Sequence, residues 1–319
     1  MSEMRAALYD RFGPPEVLYE AKVPAPVPAP GEVLVRVRAV GVNGGELHGR
    51  SGHARLVTGR RFPQRTGIDF TGEVAGSSGV HGLKEGERVW GILPRGRFGS
   101  AAEYVAVRPR HLALAPRDLS PEESVSLLAG GTTALTALRD KARLRPGERL
   151  LVRGAAGGVG SVAVQLGKAL GAHVTALAGP RGLEYVRELG ADTAVDRTAL
   201  GDPSELGTFD VVLDTAGSEH AAYRRLLAPG GRMVAIAFDM THPVRALAVV
   251  LASARHGSRR IRAFSGDPRH DLLAEVTALV DSGALRPVVD TVHELSAIAE
   301  AHRALEAGGV RGKHVLRVA

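Results

Sequence analysis

Cysteine is absent from this 319-residue chain. Its absence excludes a disulfide, a thiolate nucleophile and any thiolate metal ligand. Lysine is nearly as scarce, with five residues against 36 arginines. Aromatic residues make up 4%, with one Trp and five Tyr, so little is available to stack on nucleic-acid bases. No apolar run reaches the roughly 18–20 residues that cross a bilayer. The opening MSEMRAALYD has no apolar signal core, and the expectation is a cytoplasmic protein. A formal charge of +7 invites a polyanionic partner. The arginines are spread along the chain, however, and nucleic acid is not the partner the sequence favours.

The chain has an ordinary globular composition, 44% hydrophobic and 24% charged, and it is long enough for two cores. The organisation changes near residue 118. Before it, EVLVRVRAVGV (Glu32–Val42), GERVWGIL and AEYVAV read as short strands. VPAPVPAPG (Val23–Gly31) is an extended connector. After it, strands alternate with helices: ERLLVRG and a helix over 158–170, AHVTALA and a helix near 183–189, FDVVLDTAG and HAAYRRLL, GGRMVAIAF and VRALAVVLASA, RRIRAF and HDLLAEVTALVDSGA. Such alternation predicts a parallel sheet wrapped by helices.

The loop VRGAAGGVGS (Val152–Ser161) sits at the first strand-to-helix turn of that series. A tight turn, close backbone approach and an exposed helix N-terminus suit a pyrophosphate. The fingerprint positions are Ala155, Gly157 and Gly160, and Ala156, Gly158 and Val159 complete the cradle. The end of the next strand decides which dinucleotide. An acid there binds the ribose 2′-hydroxyl of NAD, yet HVTALAGPRG offers Ala178, Gly179, Pro180 and Arg181. An arginine grips a 2′-phosphate in two-pronged fashion, and Arg197 after ADTAVDR is a second contact. The expected cofactor is NADPH (NADP+).

These segments and others resemble a known family almost end to end. MRAALYDRFGPPEVL, GEVLVRVRAVGVNGGELHGRSG, PQRTGIDFTGEVAG, GLKEGERVWG, GGTTALTAL, GERLLVRGAAGGVGSVAVQLGKALGA, RELGAD, FDVVLDTAG, LLAPGGRMV and RGKHVLRV follow one another in the order and spacing of the medium-chain dehydrogenase/reductase (MDR) superfamily. The resemblance is to its zinc-free NADPH:quinone oxidoreductase branch. It implies an α/β protein: a GroES-like β-rich substrate domain (1–118 and 267–319) beside a Rossmann doubly wound parallel-sheet domain (119–266), with the active site in the cleft between them. It also implies a homodimer paired through Rossmann-domain strands.

Zinc enzymes of this superfamily use Cys, His and Cys for the catalytic metal. Here Asn43 stands at the first of those positions, and Gly67-Ile68-Asp69 stands where a Gly-His-Glu motif would fall. Glu46, His48 and His53 lack a usual zinc spacing, so no metal is expected. Without a Lewis acid, reduction of a conjugated acceptor is favoured over alcohol oxidation. The expected reaction is hydride transfer from NADPH to a quinone or to the β-carbon of an enone.

The resemblance places Asn43 near the nicotinamide and His48 where many relatives carry Tyr, as a proton donor to the enolate or as a pocket wall while solvent donates. It places Glu46, His48 and Arg50 in the substrate pocket, with Glu46 orienting the loop and Asp69 as a structural acceptor. Thr133, the Ala237-Phe238 and Ala263-Phe264 backbone and Lys313 are implied as further cofactor contacts.

Two acid-free stretches carry five arginines each: Arg50, Arg55, Arg60, Arg61 and Arg65, and then Arg245, Arg255, Arg259, Arg260 and Arg262. They are solvated faces, or they steer an anionic substrate. The second reading makes an enoyl reductase acting on a coenzyme A or carrier-bound acyl chain the leading alternative. An NADPH-binding structural or RNA-associated protein of ζ-crystallin type is the alternative from another class.

Overall fold

The computed structural model describes residues 3–77 and 82–318, and the side chains of Leu56, Val57, Ser77, Pro243, Arg245 and Ala246 lie outside that description. The chain divides into two compact units: Met1–Thr132 with Asp267–Gly308 and Lys313–Ala319, and Thr133–Gly266 with Gly309–Gly312.

The chain opens with β1 (Glu3–Tyr9), β2 (Leu18–Pro24), β3 (Val33–Gly41), α1 (Gly44–Arg50), α2 (Arg55–Thr58), β4 (Gln64–Arg65), β5 (Asp69–Ser77), β6 (Arg88–Ile92), β7 (Tyr104–Val107), β8 (Leu112–Leu114) and α3 (Pro121–Leu135). The βα series follows with β9 (Arg149–Arg153), α4 (Gly158–Ala169), β10 (His173–Ala178), α5 (Leu183–Glu188), β11 (Thr193–Asp196), β12 (Phe209–Asp214), α6 (His220–Arg225), β13 (Leu227–Ala235), α7 (Pro243–Ser253) and β14 (Ile261–Ala263). It ends with α8 (His270–Asp281), β15 (Val289–Glu294), α9 (Ile298–Ala307) and β16 (Lys313–Arg317).

The first unit is built on a sheet ordered β15-β16-β3-β5-β6-β8, with β7 also paired to β3, and on a smaller sheet β2-β1-β4. In β3 the valines at 33, 35 and 37 are fully buried while Arg36 between them is exposed. That alternation is what a sheet with one covered face requires. The last strand returns here: β16 runs antiparallel to β3, with Leu316 opposite Val40. α8 is tied to β8 through a hydrogen bond of 2.8 Å from Thr277 Oγ1 to the Leu114 carbonyl.

The second unit is a six-stranded parallel sheet ordered β11-β10-β9-β12-β13-β14. Leu150, Leu151 and Val152 of β9 and Val211, Val212 and Leu213 of β12 are fully buried, as continuous apolar strands covered on both faces must be. The chain winds outward from β9 through β10 to β11 and then resumes on the other side at β12. The switch point therefore lies at the C-terminal ends of β9 and β12, where doubly wound sheets bind ligands. This is a Rossmann arrangement, and the first unit is the GroES-like partner fold.

One buried group carries a pH consequence. His302 in α9 is fully buried, and neither ring nitrogen has a hydrogen-bond partner among the described residues. Burial, reinforced by the charge of Arg50, lowers its pKa from 6.5 to about 3. The unfolded chain takes up this proton below about 6.5 and the folded chain does not, so acid favours unfolding at this site. The cost is on the order of 1 kcal/mol for each pH unit between those limits. Thermal melts of a His302→Leu variant are expected to lose less stability between neutral pH and pH about 4 than those of the wild type. Parallel pH profiles would remove His302 as the cause.

Candidate active site

In the second unit the glycine-rich loop has a definite steric logic. Gly154 takes a positive φ of 69°, and a Cβ there would lie 2.4 Å from Thr215 Oγ1. The strained position is therefore Gly154, and the fully buried Ala155 beside it has no positive φ. This explains why alanine is tolerated at the first fingerprint position. A Cβ on Gly160 would lie 2.1 Å from the Gly154 carbonyl oxygen and 2.8 Å from Ala155 Cα, a space that only glycine fits. Gly157 differs: a Cβ there would meet only the Gly154 oxygen, at 3.5 Å. Its open side is room for a ligand, not for protein.

Gly157 is the N-cap of α4, and the first helical bond runs from Ser161 N to Gly157 O at 2.8 Å. Gly158 lies in the backbone bridge that pairs Gly157 with Gly312, and the amides of Val159 and Gly160, with no intrahelical acceptor, are the site for anionic oxygens. The loop is braced by a 2.7 Å hydrogen bond from Gly312 N to the Ala156 carbonyl.

At the end of β10, Arg181 and Arg197 are both exposed. The Arg181 guanidinium lies against the backbone of Gly309, and Arg197 Nε lies 4.0 Å from the open side of Gly179. No carboxylate occupies the Ala178-Gly179-Pro180 turn, and the Asp196 carboxylate is engaged with Thr198 N and Oγ1, both at 2.8 Å. Thr133 in α3, Phe238 after β13 and Phe264 after β14 are half-buried.

Phe238 stands on a polar cluster that sequence reasoning missed. The His220 ring stacks on it with centroids 5.0 Å apart. His220 Nε2 lies 3.1 Å from Asp214 Oδ2 and 3.2 Å from the Ala237 carbonyl. Asp214, fully buried, pairs with Arg153 Nη1 at 3.1 Å, and the Arg153 guanidinium lies 3.6 Å from the centroid of Tyr223. The signal was available: Arg153 and Asp214 are charges at the ends of otherwise apolar strands, LLVRG and FDVVLD, at the switch point.

In the first unit the predicted residues Asn43, Glu46 and Lys313 come together with Asp69. Asn43 is the N-cap residue of α1, but its side chain does not cap the helix. Its amide instead donates to Glu46 Oε1 at 2.8 Å, Asp69 Oδ1 at 2.9 Å and the Gly41 carbonyl at 3.1 Å. Its oxygen accepts from Lys313 Nζ. Glu46 Oε2 accepts from Thr66 Oγ1 at 2.9 Å and Gly67 N at 3.0 Å. Asp69 is fully buried, and its Oδ2 has no hydrogen-bond partner among the described residues. Burial, with the charge of Asp69 adding to it, pushes the Glu46 carboxyl up to about 7 despite the hydrogen bonds from Asn43 and Thr66 and the charge of Lys313.

His48 is half-buried, its ring 6.2 Å from that of His53. Arg50 is only 2% exposed and ion-paired with Glu306 of α9, so its contacts are with the protein itself. Of the acid-free stretches, Arg55, Arg60 and Arg61 are exposed and Arg65 is half-buried. Arg255, Arg259 and Arg260 are exposed, Arg262 is half-buried, and the side chain of Arg245 lies outside the described residues.

Comparison with known proteins agrees with both halves of this description. A family model described as "Alcohol dehydrogenase GroES-like domain" matches residues 29–117. One described as "Zinc-binding dehydrogenase" matches residues 189–316. The chain is 33% identical over 99% of its length to 2-methylene-furan-3-one reductase of Solanum lycopersicum, covering 79% of that protein. It is 32% identical over 98% of its length to the chloroplastic NADPH-dependent alkenal/one oxidoreductase of Arabidopsis thaliana, again covering 79% of it.

The chain belongs to the MDR superfamily, in its quinone oxidoreductase branch. The structure of the quinone oxidoreductase from Coxiella burnetii superposes with a TM-score of 0.90 over 100% of both chains at 29% identity.

Two groups that this superfamily binds can be tested against the residues present. Zinc does not fit: no cysteine exists, the position of the first ligand is an Asn whose amide is fully engaged, and the described residues contain no group of three His, Cys, Asp or Glu arranged to hold a metal. A nicotinamide dinucleotide does fit, on the open side of Gly157 and the first-turn amides of Val159 and Gly160.

The Glu46 carboxyl gives a measurable signature. Above about 4.5 the unfolded chain ionises this group, while the folded chain does so only near 7, so its burial costs stability as pH rises through that window. Infrared titration of the folded protein is expected to show a protonated-carboxyl band that disappears near pH 7 and is missing from a Glu46→Gln variant. A band that survives the substitution belongs to another group.

Proposed function

We propose that this protein uses NADPH to reduce quinones or α,β-unsaturated carbonyl compounds without a metal. The observation that carries the reading is a dinucleotide cradle in a chain whose remaining candidate residues are an amide, an ammonium and two carboxyls instead of metal ligands. The names of the tomato and Arabidopsis relatives point to conjugated ketones and aldehydes, and that of the Coxiella structure to quinones. Such acceptors share one electronic feature: hydride added at one end of the conjugated system places charge on a carbonyl oxygen at the other. That charge needs a hydrogen-bond donor more than a Lewis acid.

When bound, NADPH supplies the hydride from its nicotinamide C4. The Val159 and Gly160 amides, beside Gly158, would hold the pyrophosphate, and Arg181 and Arg197 would hold the 2′-phosphate. Thr133 and the backbone at Phe238 and Phe264 would face the nicotinamide. His220 fixes the Ala237-Phe238 backbone by standing between Asp214 and the Ala237 carbonyl. Asn43 has every amide proton committed, so it positions rather than donates: it holds Lys313 Nζ, whose two other N–H bonds stabilise the developing oxyanion. The proton then comes from His48 or from solvent.

Purified protein assayed for NADPH consumption against a small benzoquinone, an alkyl enone and an enoyl thioester of coenzyme A is expected to turn over one of the first two. Thioester preference would instead establish the enoyl reductase reading, and no turnover at all would leave a cofactor-binding protein. For the cofactor, Arg181→Ala is expected to raise KM for NADPH by about tenfold or more, the scale of a lost charge-assisted bond, with little change for NADH. Equal effects on both cofactors would take Arg181 away from the 2′-phosphate.

A further inference from the structure

Among the five arginines of the first acid-free stretch, Arg65 stands apart. Arg55, Arg60 and Arg61 are exposed, and Arg50 is buried against Glu306. Arg65 is half-buried, and its guanidinium has no hydrogen-bond or ion-pair partner among the described residues. Burial alone acts on it, and lowers its pKa. A cation drawn partly out of water without an anion is unfavourable, so its surroundings call for a negative charge.

Those surroundings are a cavity of ≈ 260 Å³ that lies wholly within the first unit. Arg97 supplies a second guanidinium, exposed and likewise without a partner among the described residues. The Tyr104 hydroxyl accepts from Arg36 Nε at 3.1 Å and from Arg36 Nη2 at 3.0 Å, which leaves its own proton to donate. Leu93 and Phe98, from the loop after β6, add apolar wall. So does Val27 of the Pro-rich connector, which is 81% exposed at the cavity. Glu32 is the one acid in the wall. Its carboxylate already accepts from Ala29 N at 3.1 Å, and it is not among the groups that act on Arg65.

The backbone sets the two arginines in place before any ligand arrives. Gly99 takes a φ of 127°, and a Cβ there would lie 3.2 Å from Arg65 Cδ. Glycine thus lets the loop run along the Arg65 stem. That loop is tied down by hydrogen bonds from Gly99 N to Gly67 O and from Arg97 N to Pro94 O, both at 2.9 Å. A site ordered in this way loses less entropy when it binds.

We propose that this cavity binds a small organic carboxylate, its oxygens held by Arg65, Arg97 and the Tyr104 hydroxyl and its apolar body covered by Phe98, Leu93 and Val27. The flat fork of a guanidinium matches the two oxygens of a carboxylate. A bare inorganic anion would meet the same donors but leave the apolar wall uncovered. The volume falls below the roughly 300–1,000 Å³ of cavities for drug-sized ligands, so the acid is the size of a benzoate. The cavity shares no residue with the network of Asn43, Glu46, Asp69 and Lys313. It is a second site, and it does not rest on the hydride-transfer reading.

The test is a titration of the purified full chain at neutral pH, followed by the proton or phosphorus signals of the ligand. The ligands are benzoate, benzamide and inorganic phosphate. Benzoate is expected to bind saturably, in the millimolar range or tighter, the scale for so few atoms. Benzamide keeps the shape without the charge, and phosphate keeps the charge without the apolar body. Each is expected to bind about tenfold or more weakly than benzoate. Arg97→Gln, at an exposed position, is expected to leave the thermal melt unchanged and to weaken benzoate about tenfold. Arg65→Gln is expected to weaken it at least as much.

The proposal is overturned if benzoate does not bind. It is equally overturned if benzamide or phosphate binds as tightly as benzoate, since the site would then read only shape or only charge. Benzoate binding undiminished in either arginine variant would overturn it too, by placing the carboxylate elsewhere on the protein.

Discussion

A single close approach organises the second unit. The carbonyl oxygen of Gly154 lies where a side chain on residue 160 would begin, 2.1 Å from that Cβ position. Because no atom is there, β9 turns directly into α4, and the helix N-terminus comes out at the switch point of the sheet. Gly167 continues the same logic one helix length on, where a Cβ would strike Leu150 at 2.7 Å and Val174 at 3.0 Å. The helix can then lie flat on the strands that feed it. The opening beside Gly157 is what remains after this packing is satisfied, which is why the free amides around it suit an anion.

The first unit has its own version of the constraint at Gly41. A Cβ there would fall 2.8 Å from both Asp69 Oδ2 and Lys313 Cε. Its absence lets the end of β3, the start of β5 and the start of β16 converge, and Asn43 joins their side chains into one network. Two carboxyls and one ammonium are drawn into a nearly dry space with an amide between them. Desolvation and like charge compete there with hydrogen bonds, and the balance leaves Glu46 titrating near neutrality. A residue that looks like a loop acid in NGGELHG is therefore part of the interior chemistry.

Burial also sorts the arginines, which in the sequence look alike. Arg50 and Arg153 are 2% and 4% exposed and each is held by an acid, Glu306 and Asp214 respectively. Buried arginines of this kind are fastened parts of the scaffold, since an unpaired one would be costly. Arg181 and Arg197 are exposed, beside a turn whose own residues carry no carboxylate. Arg255, Arg259 and Arg260, beyond the end of α7, are exposed, and the charges of Arg255 and Arg259 bear on Arg224. Net charge alone said nothing about these three fates.

The sequence by itself determined the fold class, the alternation of strands and helices in the second unit, the glycine-rich turn and the lack of an acid after β10. These are local features: a periodicity of two or 3.6, a glycine where the chain must turn, a residue type a few positions from a strand end. Through its resemblance to the family it also singled out Asn43, Glu46 and Lys313, whose side chains the structure joins in one network.

What it could not determine was which side chains meet across long separations. Lys313 reaches Asn43 over 270 positions, and Arg50 is paired over 256. His220, Asp214 and Arg153 gather under Phe238 only because three parallel strands end at one edge. Which side of α7 packs on the core of the second unit is invisible in VRALAVVLASA, since both sides of that helix are equally apolar and only the tertiary contacts of Val249 and Val250 decide it. Local pattern fixes elements because their hydrogen bonds are local. Burial, charge pairing and exposure depend on contacts between distant segments, and those exist only once the sheets have closed.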